Sequence, residues 1–210
     1  MTNIVGDVLE GWRRGTRGPL PQITPLQLLN ALVIIDIEGP VGRRALAHSL
    51  QIKDGVVRGL LERLTDNGIA SATETGVRLS AGGRRSLHKF LDQLSVKKIA
   101  PIRESGLIGT RRGIGVHLTG AYEKGMTGVA QRDEAVKAGA DGSITVAMLG
   151  RRLVIPPDNK SLADLDWIMN GLLRELFKPS DKDLIVIGFG KDHASAQAGA
   201  LAAVLSLQKK

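Results

Sequence analysis

The sequence predicts an α+β protein with two domains, and three observations lead to this prediction. A chain of 210 residues with 42% hydrophobic and 24% charged residues is long and apolar enough to form two small cores. Apolar residues recur at helical spacing in the N-terminal half, whereas short apolar strands alternate with helices from residue 113 onward. The segment between these halves, residues 95–112, contains Pro101 and several glycines and has no clear period.

These observations give four predicted segments. A basic arm occupies residues 1–23, a first domain follows at 24–98, a linker lies at 99–112, and a second domain occupies 113–210. The formal charge of +8 and the pI near 10 favour a polyanionic partner. The absence of cysteine removes disulfides, thiolate metal ligands and cysteine nucleophiles, and it is typical of an intracellular protein.

The first domain opens with a helix whose start is marked by three signals. Thr24 is a suitable N-cap, Pro25 suits the first helical position, and Gln27 can complete a capping box with Thr24. A wide apolar face of leucine, isoleucine and valine follows, and the Gly39-Pro40 pair ends the helix.

Two further helices follow this first one. A short helix from Arg43 to Leu50 leads into a tight turn at Gln51–Lys53 and then into a helix that Asp54 caps and Gly68 stops. In the helix after the turn, four apolar residues recur at helical spacing and are expected to face the core: Val57, Leu60, Leu61 and Leu64.

A strand hairpin completes the first domain. The segments 69–73 and 77–79 are strand-like and flank a turn at Glu74–Gly76, after which Ser80 caps another helix. The order helix, helix, turn, helix, two-strand wing, helix predicts a winged helix-turn-helix domain. The alternative is an unrelated helical domain with a hairpin, which the spacing of the turn and Gly68 disfavour.

Two segments of this domain resemble winged-helix transcription regulators of bacteria and archaea: GPVGRRALAHSLQIKDGVVRGLLERLTDNGIA from Gly39, and VRLSAGGRRSL from Val77. The DNA-binding domains of SorC-type and DtxR-type repressors are similar to this part, about a third of the chain. With QRDEAVKAGADG at residues 131–142, the whole arrangement also resembles archaeal winged-helix proteins whose C-terminal domain has no assigned function. The resemblance implies an archaeal-like regulator of transcription.

Double-stranded DNA is therefore the predicted partner. Arg58 points away from the predicted core of the helix after the turn, and its guanidinium suits a bidentate contact with guanine. Two outward glycines, Gly55 and Gly59, leave room for close approach of the backbone. Six other basic residues are predicted to contact phosphates: Arg43 and Arg44 before the turn, Lys53 in it, Arg78 in the wing, and Arg84 and Arg85 after the wing.

Two features count against DNA binding. The wing tip at Glu74–Gly76 is short and acidic, and Glu62 adds a negative charge near the expected interface. A winged helix also serves as a protein-docking or dimerisation module, so this alternative stays open. The arm residues Arg13, Arg14 and Arg17 could reach a minor groove, although such an arm is more often simply solvated.

The second domain is predicted to contain a sheet and helices in the order β-α-β-β-α-β-α. This order predicts a two-layer α+β sandwich with the helices on one face, and a ferredoxin-like topology is one candidate. The central hairpin turns at Gly150-Arg151. The helix that Ser161 caps is expected to bury one apolar stripe: Leu162, Leu165, Ile168, Leu172 and Leu176.

One weak ligand site is predicted in this domain. Gly188 to Lys191 joins a strand to a helix N-terminus, where backbone amides and Lys191 could hold an anion beside His193: the candidates are Gly188, Gly190, Lys191 and His193. In the alternative interpretation the glycines serve a tight turn and Asp192 caps the helix. Four scattered histidines give no metal pair, and no nucleophile lies beside a base. Neither a metal, a cofactor nor an enzyme activity is predicted.

The sequence thus predicts a DNA-binding transcriptional regulator whose second domain dimerises the protein or senses a small-molecule effector. The longest apolar run, Ala31–Ile35, is too short for a membrane span, and the N-terminus does not have the pattern of a secretory signal. A soluble, cytoplasmic homodimer is therefore expected. The alternative function is an anion-binding or protein-interaction module in which the winged helix serves only assembly.

Overall fold

The computed structural model describes residues 5–6, 23–103 and 105–208, in two compact units that divide between Leu91 and Asp92. The first unit contains a helical domain with a small hairpin. Its elements in chain order are α1 (Pro25–Glu38), α2 (Arg43–Leu50), α3 (Asp54–Asp66), β1 (Ala70–Thr73), β2 (Gly76–Leu79) and α4 (Ala81–Gln93), whose last two residues lie past the division.

The second unit is a six-stranded sheet with helices. The strand order is β3-β4-β8-β5-β6-β7, and every neighbouring pair is antiparallel. Its elements in chain order are β3 (Val96–Ile102), β4 (Arg112–Leu118), α5 (Val129–Lys137), β5 (Gly142–Leu149), β6 (Arg152–Ile155), β7 (Lys160–Ser161), α6 (Leu162–Leu165), α7 (Trp167–Phe177), β8 (Leu184–Gly190) and α8 (His193–Ser206).

Helix α1 forms the core of the first unit. Its predicted capping box is confirmed, because Thr24 Oγ1 accepts from the Gln27 amide at 3.1 Å and Gln27 Oε1 accepts from the Thr24 amide at 2.9 Å. Every residue from 28 to 35 is buried, and Gly39 ends the helix by donating to the Ile35 carbonyl at 3.1 Å. The remaining helices and the hairpin follow α1 in the order of a winged helix-turn-helix. Together with the sheet and helices of the second unit, this order confirms the predicted α+β class.

The sheet of the second unit carries helices on both faces. Residues alternate between the faces of a strand, and in β8 the even-numbered Gly188 lies against α8, where an added Cβ would come within 2.3 Å of the Ala196 carbonyl oxygen. On the opposite face, an added Cβ at Gly115 would meet the Phe177 ring of α7 at 2.8 Å. The structure therefore differs from the predicted arrangement with all helices on one face, and the ferredoxin-like topology does not describe it.

Part of the predicted linker is a strand of this sheet. Residues Val96–Ile102 form β3, which pairs with β4 along its length. The sequence instead predicts that residues 99–112 are an irregular linker. Pro101 can occupy this strand because β3 lies at the edge of the sheet. Three residues of the strand are buried, Val96, Ala100 and Ile102, and the register with β4 shifts between Val96 and the exposed Lys98.

The helix predicted after Ser161 is broken in two. Asp166 adopts an extended conformation and caps α7 by accepting from the Met169 amide at 2.9 Å, whereas the Ser161 side chain caps nothing. Since the break rotates the following residues, Met169 and Leu173 enter the core. The predicted stripe is wrong at two positions, because Leu165 and Ile168 are exposed.

None of the described helices is long and apolar enough to cross a membrane.

Candidate nucleic-acid interface

The turn between α2 and α3 places the side chains that the sequence assigns to DNA. Gln51 ends α2 in the left-handed conformation with φ of 53°, and the Ile52 amide donates to the Ala47 carbonyl at 3.2 Å. Lys53 is the N-cap residue of α3, so Asp54 is the first helical residue rather than the predicted cap. Asp54 instead pairs with Arg43, whose Nε lies 3.0 Å from its Oδ1 and so ties α2 to α3.

The faces of α3 are arranged as the sequence predicts. The four apolar residues of the predicted core face are all buried: Val57, Leu60, Leu61 and Leu64. On the other side, a Cβ added at Gly55 or Gly59 would meet no atom within 4 Å, so the backbone of α3 is open to a close-approaching partner. Arg58 extends from this open side.

Three of the seven predicted contact residues are paired with carboxylates through their Nε atoms. Arg43 contacts Asp54, Arg58 contacts Glu62 at 2.8 Å, and Arg84 contacts Asp36 at 2.8 Å. His88 Nε2 also lies 2.8 Å from the second oxygen of Asp36, so this carboxylate joins α4 to α1. These pairs hold the guanidinium groups in place and offset part of their charge.

The other four predicted contact residues are exposed and have no ion pair with any other residue that the structure describes: Arg44, Lys53, Arg78 and Arg85. They lie on α2, the turn, β2 and α4 respectively. Because their charges are not offset locally, these side chains are the stronger candidates for phosphate contacts.

The wing is short and fixed to the helical part of the unit. Strands β1 and β2 pair from Ala70 with Leu79 to Thr73 with Gly76, which leaves only Glu74 and Thr75 at the tip. Val77 exchanges two backbone hydrogen bonds of 2.9 Å with Val41, just before α2. The tip therefore presents an acid, as predicted, and Arg78 is the basic residue that the wing contributes.

The predicted anion site of the second unit has a packing role in the structure. Gly188 and Gly190 lie in β8 itself, where their missing side chains admit α8: a Cβ at Gly190 would come within 2.5 Å of Ser195 Oγ. Asp192 caps α8 by accepting from the Ser195 amide at 2.8 Å. Lys191 and His193 are both exposed.

Two features of the second unit are not predicted by the sequence. A cavity of about 660 Å³ lies between the end of α8 and the start of α5, and its polar lining includes Lys124, Thr127, Gln131 and Ser206. No sequence signal points to it, because its lining comes from segments that are distant along the chain. The described residues contain no group of three or more histidine, aspartate or glutamate side chains that could hold a metal ion.

The second feature is a buried histidine–aspartate pair. His117 Nε2, on β4, donates to Asp183 Oδ2 at 2.8 Å, and Asp183 also accepts from the amides of Gly120 and Ser180 at 2.8 Å each. Burial raises the pKa of Asp183, but these hydrogen bonds lower it further than burial raises it, so the pKa lies below its ordinary value. The pair joins the end of β4 to the start of β8, which are neighbouring strands of the sheet.

The arm arginines Arg13, Arg14 and Arg17 lie outside the described residues.

Comparison with known proteins finds a separate match for each half of the chain. Residues 28–95 match the CggR N-terminal DNA binding domain, and residues 110–207 match a domain of unknown function, DUF4443. Among solved structures, the chain is similar to a hypothetical protein from Pyrococcus horikoshii OT3, with 22% identity over 87% of this chain and 92% of that chain and a TM-score of 0.69. No match was found among curated proteins.

The first match concerns the part of the chain that folds as a winged helix-turn-helix. A DNA-binding domain therefore stands at the N-terminal side of a second domain to which the matching family assigns no function. The similarity to the Pyrococcus horikoshii protein shows a shared fold. The matched families are described as neither SorC-type nor DtxR-type, so that resemblance stays a prediction.

Proposed function

We propose that this protein is a DNA-binding transcriptional regulator in which α3 is the recognition helix. The observation that carries the proposal is that residues 28–95, which match a DNA binding domain, fold with an exposed α3 whose backbone is open at Gly55 and Gly59. Arg58 is the base-reading residue of this helix, since its two Nη groups remain for the edge of a guanine while Glu62 holds its Nε.

Backbone phosphates supply most of the affinity in this proposal. Four exposed basic residues have no ion pair among the described residues, and they come from α2, the turn, β2 and α4: Arg44, Lys53, Arg78 and Arg85. Such contacts orient the protein on the duplex without reading its sequence. Base specificity then depends on one arginine and on the symmetry of a dimer, whose two recognition helices would meet successive major grooves roughly 34 Å apart.

Selection from a random duplex library with the full chain tests this function. The proposal expects enrichment of an inverted repeat, and Arg58→Ala should broaden the preference at one position of each half-site. Failure to enrich any sequence, together with no measurable affinity for duplex DNA at low salt, would contradict it.

The second domain is proposed to bind a small-molecule effector in the cavity beside Gln131. A volume of about 660 Å³ is in the range of ligand pockets. Gln131 is almost fully buried, and its Nε2 donates to Ser206 Oγ at 3.3 Å, so the carboxamide is held at the cavity wall. The two side chains come from α5 and α8, and a ligand there would contact both helices.

A thermal-shift screen against metabolites separates this cavity from the anion site at the start of α8. A ligand of the cavity raises the melting temperature of the wild type, and Gln131→Leu should reduce that rise whereas Lys191→Ala should not. The opposite pattern, loss in Lys191→Ala alone, would favour the alternative of an anion-binding module.

A further inference from the structure

An apolar patch is exposed at the start of α7. Leu165, Trp167 and Ile168 expose 47%, 76% and 49% of their surface, and they account for half of the large hydrophobic residues exposed in the described part of the chain. Clustered exposed apolar side chains mark interaction sites, whereas single ones do not. Trp167 is one of only two tryptophans in the sequence.

The break at Asp166 explains why these side chains face outward. The core face of α7 consists of Met169, Leu173 and Phe177, all fully or almost fully buried. At 100° per residue, Gly171 lies at the middle of the opposite face, with Trp167 one turn before it. A Cβ at Gly171 would meet no atom within 4 Å.

Gly171 therefore leaves a gap beside the Trp167 ring. A glycine inside a helix lowers stability by about 0.5–1 kcal/mol relative to alanine. At Gly188 a close approach of the chain itself explains the glycine, but at Gly171 no described atom of the same chain requires it. The bulky Trp167 and the gap at Gly171 lie one helical turn apart on the same exposed face. They suit a partner that presents a gap and a bulky side chain in the reverse order.

We infer that this face binds a second copy of the same chain, with the two α7 helices antiparallel and Trp167 of each copy lying over Gly171 of the other. In a two-fold interface, residue i contacts residue j and residue j contacts residue i. The pairing of Trp167 with Gly171 meets this condition, because Trp167 of each copy contacts Gly171 of the other.

The charges beside the patch agree with an antiparallel pairing. Asp164 lies in α6, just before the break that precedes α7, and Arg174 lies near the end of α7. An antiparallel pairing therefore brings the acidic beginning of this segment in one copy towards the basic end of the same segment in the other. Asp164 has no ion pair among the described residues. Arg174 donates a hydrogen bond from Nη2 to the Arg151 carbonyl at 2.6 Å, and the other N–H groups of its guanidinium remain as donors.

This inference rests on the proposed function in one respect, since a regulator with two recognition helices needs a two-fold dimer. Sedimentation of the full chain without DNA tests the interface independently of any operator. The wild type should form a dimer, and Trp167→Glu should raise its dissociation constant roughly thirtyfold or more, as loss of a central tryptophan does. Ile37→Glu is the matched control, because Ile37 of the first unit is 53% exposed and its loss should leave the dimer unchanged.

Cysteine pairing tests the register directly, and it does not depend on whether Trp167→Glu folds. The chain has no cysteine of its own. A mixture of Trp167→Cys and Gly171→Cys chains should form a mixed disulfide dimer under mild oxidation, faster than a mixture of Ile37→Cys and Gly171→Cys chains.

Three results would overturn the inference: a wild type that stays monomeric at the highest soluble concentration, a Trp167→Glu variant that dimerises like the wild type, or equal rates of disulfide formation in the two mixtures. Binding of another protein to the patch of a monomeric wild type would also overturn it. Each of these results leaves the DNA-binding proposal standing if the library selection succeeds.

Discussion

The seven basic residues that the sequence assigns to DNA differ in what surrounds their charges. A carboxylate lies within 3.0 Å of the Nε of Arg43, Arg58 and Arg84, and those carboxylates come from other turns or helices of the first unit. Composition identifies all seven as basic. Only the structure identifies Asp36 as the partner of Arg84, because the two are 48 residues apart, whereas Glu62 is one helical turn from Arg58. The DNA contacts of the three paired arginines and those of the unpaired residues should therefore respond differently to substitution.

Arg44→Ala and Arg58→Ala make this difference measurable. Arg44→Ala should weaken binding to every duplex alike and lower the dependence of the binding constant on salt by about one phosphate contact for each bound chain. Arg58→Ala should reduce discrimination at one base pair by about 1–3 kcal/mol. Fluorescence anisotropy on matched and mismatched duplexes measures both, with Lys160→Ala of the second unit as the control. Equal loss of discrimination in the two variants would argue against Arg58 as the base reader.

Glu62 should oppose DNA binding through its charge. Glu62→Gln removes a negative charge beside the open face of α3 and releases the Nε of Arg58, so the affinity for all duplexes should rise at low salt. The pair is exposed, so its loss should leave the free energy of unfolding nearly unchanged. Glu74→Gln at the wing tip is the matched control for a lost surface charge. A fall in affinity would mean that Glu62 orients Arg58 for its contact.

Among the helices and strands, those with local end signals are predicted best. The Thr24 capping box, the Asp192 cap and the hairpin turn at Gly150-Arg151 all depend on neighbouring residues, and the structure confirms them. The sequence does not predict strand β3 or the helices on both faces of the sheet, because both depend on pairing between distant segments. The break at Asp166 depends on a local signal that is easily overlooked. Aspartate is a common N-cap residue, but the apolar residues on both sides of Asp166 continue at helical spacing and predict one unbroken helix.

The role of Gly188 is a further case that the sequence leaves open. Gly188→Ala should destabilise the second unit by about 1–3 kcal/mol, because the new methyl group would collide with the backbone of α8 at Ala196 and Ala200. Gly82→Ala is the control, since a Cβ there meets only Ser80 Oγ at 3.7 Å and should be neutral or stabilising. Urea unfolding measures both. A stable Gly188→Ala variant would return this glycine to the candidates for ligand binding.

For the whole molecule, acid stability depends on buried carboxylates of the second unit. Folding lowers the pKa of Asp183, so its contribution to stability is present in full above the pKa of an unfolded aspartate, about 3.9, and is lost as pH falls through the lower folded value. We expect the melting temperature to fall steeply below about pH 4. Asp183→Asn should lower it at neutral pH and make that fall shallower, whereas the exposed Asp158→Asn should change neither. An unchanged acid transition in Asp183→Asn would contradict this assignment.

The central claim is that the first unit binds DNA chiefly through phosphate contacts of Arg44, Lys53, Arg78 and Arg85, which are exposed and have no ion pair in the described structure. The affinity of the full chain for a selected duplex, measured across a range of salt concentrations, tests this claim most directly. Four phosphate contacts per chain predict a slope of about −3.6 for each bound protomer in a plot of log affinity against log salt, at about −0.9 per contact, and about −7.2 for a dimer on an inverted repeat. Replacement of Arg44, Lys53, Arg78 and Arg85 by alanine should flatten most of that slope. A slope near zero in the wild type, or an unchanged slope in the fourfold variant, would contradict the account.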